Sequence, residues 1–232
     1  MTLCLVTDRR RLCADGAPFD VARGCLVEQA RMAIAAGIDL IQVRERDLDA
    51  GPLSALVSDI VRLARGTATR VVVNERLDVA LACGADGVHL RSDSMPADEV
   101  RRMAPPGFLI GRSVHRPEQA VAAGPLDYLV AGTVFPTSSK AAAPSGTAAP
   151  AADRLLGLDG LTQISRAARV PVLAIGGMTV ERAGAVRAAG AAGLAAIGLF
   201  IDRGAEGPCR VKPLGAVVEA LRRAFDSVER AS

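Results

Sequence analysis

The sequence predicts one α/β domain over residues 1–232, a (β/α)8 barrel of the TIM type. Three observations carry that expectation. Short apolar runs rich in β-branched residues alternate with longer amphipathic stretches, the pattern of a parallel sheet covered on both faces. A joint recurs between the two: Ala36-Gly-Ile-Asp-Leu-Ile41, Cys83-Gly-Ala-Asp-Gly-Val88, Ala123-Gly-Pro-Leu-Asp-Tyr128 and Ala189-Gly-Ala-Ala-Gly-Leu194. Glycine suits the position just past a helix end, where positive φ is wanted, and the apolar residues after it open the next strand. Segments of each kind number eight, which closes a barrel. A doubly wound open sheet shares this periodicity and stays as the alternative.

In chain order, strand one is expected at 2–7, where Leu3-Cys-Leu-Val-Thr7 follows Met1 and Thr2, and a helix over 25–36 leads to Gly37. Strand two is the Leu-Ile-Gln-Val run of 40–43, and the helix over 52–65 repeats Leu53, Leu56, Val57 and Ile60 on one face. Strand three, 70–73, ends in three valines; a short helix spans 77–83, and strand four spans 87–90. Helices over 97–103 and 117–123 flank strand five at 109–111, and strand six follows at 128–131. The last two units pair a helix over 158–168 with strand seven at 172–175, and one over 180–189 with strand eight at 194–197. A final helix covers 214–227. Residues 138–153, dense in Ala, Pro, Ser, Gly and Thr, are long for a βα loop and are expected to form a flexible loop over the barrel mouth.

Composition narrows the function classes. Half the residues are hydrophobic, enough for one sizeable core. No run of about 18 uncharged apolar residues marks a membrane span. The N-terminus lacks the basic-then-apolar order of a secretory signal. Cys4, Cys13, Cys25, Cys83 and Cys209 are scattered without metal-ligand spacing, and read as reduced, mostly buried thiols of a cytoplasmic protein. The net charge is +3, the arginines are dispersed and aromatics make up 3%, which argues against a nucleic-acid surface. A homo-oligomer is left open.

In such a barrel the chemistry collects at the carboxyl ends of the strands. Those positions hold Gln42, Arg44, Glu45 and Arg46 after strand two, and Asn74, Glu75 and Arg76 after strand three. Strand four ends in His89, followed by Arg91 and Asp93; Arg112, Ser113 and His115 follow strand five. Thr137, Ser138, Ser139 and Lys140 follow strand six. Gly176-Gly177 ends strand seven, with a helix expected from about Thr179, and Gly198 follows strand eight. A glycine pair lets backbone N–H groups approach an anion, and a helix start behind it favours phosphate. Guanidinium pairs such as Arg44 and Arg46 suit phosphate oxygens, although loop charges are also ordinary. His115 lies in a loop with no evident packing demand, where an imidazole can move protons near neutrality. His89, at a strand end, reads rather as a hydrogen-bonded core residue.

Several ordered stretches resemble the thiamine phosphate synthase/TenI family. They are Leu5-Val-Thr-Asp8, Ile41-Gln-Val-Arg-Glu-Arg46, Val73-Asn-Glu-Arg-Leu-Asp78, Gly84-Ala-Asp-Gly-Val-His-Leu90, Ile110-Gly-Arg-Ser-Val-His115, Val134-Phe-Pro-Thr-Ser-Ser-Lys140 and Ala174-Ile-Gly-Gly-Met178. The resemblance implies the same barrel and a role in thiamin biosynthesis on a phosphorylated thiazole. Two reactions compete within it. TenI-type tautomerases move a double bond in the carboxylated thiazole phosphate without a metal. Synthases join hydroxymethylpyrimidine diphosphate to thiazole phosphate and release pyrophosphate with Mg²⁺. Arg44-Glu-Arg46 and Gly111-Arg-Ser-Val-His115 resemble the tautomerase side, and that reading is preferred here. It implies His115 as acid/base, phosphate on Gly176, Gly177 and Gly198, and Arg44 and Lys140 holding other anionic groups. The synthase alternative implies Glu75 and Asp93 as altered Mg²⁺ ligands, each departing from the family's aspartates, and pyrophosphate on Arg44, Arg46, Thr137, Ser139 and Lys140. Magnesium wants near-ideal octahedral geometry, so these departures weigh against it. Gln42 and Asn74 complete the expected substrate contacts. A third reading is a barrel that binds a thiazole or thiamin phosphate without turnover.

Overall fold

The computed structural model describes residues 1–122, 124–137, 155–202, 204–205 and 207–227. The loop expected at 138–153, with Ser139 and Lys140, lies outside the described residues. Eight parallel strands, β1 (Thr2–Val6), β2 (Leu40–Val43), β3 (Arg70–Asn74), β4 (Gly87–Leu90), β5 (Leu109–Val114), β6 (Tyr128–Gly132), β7 (Val172–Ile175) and β8 (Gly193–Ala196), close into a barrel. Closure comes from β1 pairing with β8 in register Thr2↔Gly193 to Leu5↔Ala196. The helices are α1 (Arg9–Leu12), α2 (Phe19–Ala35), α3 (Ala50–Ala64), α4 (Leu77–Ala82), α5 (Ala97–Met103), α6 (Pro117–Val121), α7 (Gly157–Ala167), α8 (Ala183–Ala188) and α9 (Gly215–Asp226). The closed ring removes the open-sheet alternative.

Strand alternation sorts the core into two shells. Leu3 and Leu5, Ile41 and Val43, Val71 and Val73, and Leu129 and Ala131 face outward and pack against the helices. Cys4, Val6, Leu40, Val72, Tyr128, Val130, Leu173 and Ala195 fill the interior. The interior admits the Tyr128 ring because its partner across the sheet is Gly111, where any Cβ would collide with that ring. Counting on by two from the interior residues puts Gln42, Asn74, His89 and Ser113 on the inner wall at the carboxyl end.

Three expectations are corrected. The helix foreseen from Thr179 begins at Ala183, because residues 178–182 make a turn first. Helix α2 begins at Phe19, six residues before the expected start at 25; Gly24 weakens the local helical signal, and burial of Ala22, Cys25 and Leu26 overrides it. The cysteines are not all reduced: Cys25 and Cys209 form a disulfide, while Cys4, Cys13 and Cys83 are free. Folding brings together two cysteines 184 residues apart, a pairing that spacing along the chain could not suggest. Among the described residues no helix is long and apolar enough to cross a membrane.

Candidate active site

A cavity of about 760 Å³ opens at the carboxyl ends of the strands. Of the residues singled out from sequence, Gln42, Arg44, Arg46, Asn74, His115, Thr137, Gly176, Gly177 and Gly198 line it. Glu75 and Asp93 do not. Glu75 borders a smaller recess of about 250 Å³, shared with Arg46, Asn74 and Arg91. Both carboxylates lean on Arg91: Glu75 Oε1 accepts from its backbone N–H at 2.6 Å, and Asp93 Oδ2 from its guanidinium at 2.7 Å. Among the described residues Glu75 is the non-glycine residue with positive φ (67°), which bends the chain sharply at the end of β3.

The floor is polar and tightly bonded. Gln42 Nε2 donates to Asn74 Oδ1 at 3.0 Å, and both side chains are buried. The His89 ring sits between the Tyr128 hydroxyl (3.2 Å from Nδ1) and the Ser113 hydroxyl (2.9 Å from Nε2). Burial, with help from Arg112 and Arg44, lowers the His89 pKa to about 3, so the imidazole is neutral at physiological pH. His115 is half-buried, and its Nδ1 bonds the Gly132 carbonyl. Since a carbonyl only accepts, Nδ1 carries the proton there.

The β2 rim explains why two adjacent arginines stay available. Glu45 points into the fold, where its carboxylate accepts from the Thr7 hydroxyl at 2.8 Å and from the Arg9 guanidinium at 3.0 Å. Burial pushes the Glu45 pKa up, and Thr7 and Arg9 oppose that shift. The Thr7 hydroxyl also accepts from Arg44 N–H at 2.9 Å, fixing the turn. Arg44 and Arg46, on either side of Glu45, line the cavity with no side-chain hydrogen bond or ion pair among the described residues. Burial lowers the Arg46 pKa, as do Arg44 and Arg91, while Glu75 and Asp93 pull the other way. Three guanidinium groups, one of them paired with Asp93, concentrate positive charge in this corner.

On the opposite wall, Gly176 (φ 102°) and Gly177 (φ 62°) turn the chain after β7 in the left-handed region. A side chain at Gly177 would strike Phe135 and the Pro136 carbonyl. Arg182 Nη1 donates to Gly177 O, and its guanidinium lies over the Phe135 ring, 4.5 Å from the centroid. Gly198 opens a 3-10 turn, Gly198–Phe200. The turn here is built on glycine backbone, without the helix start expected behind it.

Four charged lining residues were not foreseen: Asp8, Arg11, Arg182 and Lys212. Asp8 and Arg11 follow β1 directly, so the rule that chemistry gathers at strand ends was sufficient to find them. Arg182 lies five residues past Gly177, within reach of the same rule. Lys212 carries no local signal, because only the fold brings residues so far past β8 back to the mouth.

Residues 3–200 match the family model described as thiamine monophosphate synthase. The chain belongs to that family. A thiamine-phosphate synthase of Methanoregula boonei is 42% identical over 178 residues, covering 76% of this chain and 78% of its own. One from Roseiflexus castenholzii is 38% identical over 199 residues, 85% of this chain and 79% of its own. The solved thiamine phosphate pyrophosphorylase from Pyrococcus furiosus superposes with a TM-score of 0.75 at 32% identity, covering 98% of this chain and 96% of its own. Membership makes the chain a thiamin-biosynthesis enzyme of the barrel type, acting on small phosphorylated substrates.

Proposed function

We propose that the protein is a thiamine-phosphate synthase. It would join hydroxymethylpyrimidine diphosphate to thiazole phosphate: the thiazole nitrogen bonds to the pyrimidine's methylene carbon as the carbon–oxygen bond to diphosphate breaks. The observation that carries this reading is the division of the cavity into two anion-favouring walls. Arg44, Arg46 and Arg91 crowd one wall, and Gly176, Gly177 and Gly198 offer backbone on the other. A single thiazole phosphate needs one such wall; a diphosphate and a phosphate bound together need both. The relatives' names favour the same reaction over the tautomerase expected from Arg44-Glu-Arg46.

Arg44 and Arg46 would hold the diphosphate, joined by Thr137 and, from outside the described residues, Ser139 and Lys140. The glycine backbone would seat the thiazole phosphate. Gln42, Asn74, His89 and Ser113 offer fixed donors and acceptors to the edge of a heteroaromatic ring. The neutral His89 adds no charge to the floor, so a cationic product ring is not repelled there.

Magnesium commonly binds through one or two carboxylates together with substrate phosphates, keeping several waters. Glu75 and Asp93, both close enough to influence Arg46, match that donor chemistry. Among the described residues no group of three or more acidic, His or Cys side chains makes an all-protein cage. The ion would neutralise charge on the departing pyrophosphate, with Glu75 and Asp93 as its protein ligands.

The test supplies purified protein with both substrates and Mg²⁺ and follows thiamine phosphate over time. Turnover abolished by EDTA and restored by Mg²⁺ is expected. The tautomerase reading keeps one observation in its favour, His115 on the cavity wall. Conversion of the carboxylated thiazole phosphate alone, lost in His115→Ala, with no thiamine phosphate formed, would reverse the assignment.

A further inference from the structure

Between the 3-10 turn and α9 the chain makes an excursion that belongs to no βα unit. Residues 207–212 return to the start of the molecule and lie antiparallel to the end of α1. Cys209 pairs with Cys13 through an isolated antiparallel backbone β-bridge, Arg210 N donates to Leu12 O at 2.7 Å, and Ala14 N donates to Pro208 O at 3.2 Å. The Cys25–Cys209 disulfide ties the same segment to α2. Three residues beyond Cys209, Lys212 lines the cavity. Its ammonium has no hydrogen bond or ion pair among the described residues, whereas Arg9, Arg23, Arg70, Arg101 and Arg222 elsewhere all meet carboxylates.

We propose that Lys212 binds substrate phosphate in the active site, and that the Cys25–Cys209 bond holds it there, making phosphate affinity dependent on redox state. The inference rests on the reading that the cavity takes phosphate. An unpaired cation at the mouth of an anion site gains a partner when phosphate binds. Its position depends on a segment held by a few backbone hydrogen bonds, a bond from the Arg210 guanidinium to Arg11 O at 3.3 Å, packing of Val211 on the core, and one covalent bond. Breaking that bond leaves Lys212 on a freer tether, and ordering it again opposes binding.

Reduction is chemically accessible from one side. Cys209 is half-exposed, while Cys25 is buried. The thiolate of a dithiol reductant attacks the Cys209 sulfur and expels the Cys25 thiolate. Its second thiol then displaces Cys209 from the mixed disulfide. The protein gains two electrons and two protons, and the reductant leaves as its own disulfide. Burial pushes the pKa of the Cys13 thiol up, so it stays protonated beside the bridge and does not intercept it.

Calorimetric titration with inorganic phosphate tests the inference on the full chain, oxidised and after dithiothreitol. Reduction is expected to weaken binding roughly tenfold, about one charge-assisted hydrogen bond. Cys209→Ser should match the reduced protein, Lys212→Ala and Lys212→Gln should bind weakly in both states, and Lys212→Arg should keep the redox response. Equal affinity in the two states, absence of phosphate binding, or a redox response that survives in both Lys212→Ala and Lys212→Gln overturns it. Synthase turnover with redox-blind phosphate binding would sink this inference alone. Redox-dependent phosphate binding without turnover would instead remove the reaction proposed above.

Discussion

His89 is enclosed by Tyr128 and Ser113, and its protonated form loses hydration on folding that the site does not replace. An unfolded histidine titrates near 6.5, against about 3 here. The unfolded chain therefore binds the extra proton first, and stability falls as pH drops below 6.5 toward 3. By pH 4 this one group accounts for roughly 3 kcal/mol. Thermal unfolding of wild type and His89→Gln between pH 7 and 4 should show the variant losing less; parallel losses would deny His89 this role. At Gly177, φ of 62° and the nearness of Phe135 and the Pro136 carbonyl leave no room for a methyl group. Gly177→Ala should lower stability by about 1–3 kcal/mol and raise the KM for thiazole phosphate by about tenfold or more. An unchanged KM would move the phosphate away from this turn.

Among the elements, the 207–212 segment depends most on a single bond. A crosslink between residues 184 apart restricts the unfolded chain strongly, and such bonds typically contribute about 2–4 kcal/mol. For a chain of this size that corresponds to a melting shift of roughly 5–10 °C. Melting with and without dithiothreitol, beside Cys25→Ser, measures it; a reductant-insensitive midpoint would show that the bond contributes nothing. The β2 rim shows how one element separates roles by alternation. Glu45 turns inward to Thr7 and Arg9, and its neighbours Arg44 and Arg46 are left to face the cavity. The short α8 shows the opposite relation. Its six residues begin only after the 178–182 turn, so the cavity wall beside β7 is formed by the glycine turn and not by a helix start.

For the molecule as a whole, the strand series was legible because each strand is a run of apolar residues whose alternation survives in any context. Strands at 40–43, 87–90 and 172–175 coincide with the observed bounds, and the others differ by a few residues at an end. Strand ends also named most of the cavity wall in advance: Gln42, Arg44, Arg46, Asn74, His115, Thr137 and the three glycines all reach it. These follow from local order, since a barrel converts position at a strand's end into position at the mouth. Other features depend on parts of the chain that meet only after folding. The Cys25–Cys209 bond, the return of Lys212 to the cavity and the capture of Glu75 and Asp93 by Arg91 have no periodic signature. Pattern along a chain reports which face a residue presents, and so it reached the barrel and its rim. Which distant side chains share a corner is set by closure of β1 on β8 and by the packing of helices around it, and there the redox-held lysine took its place.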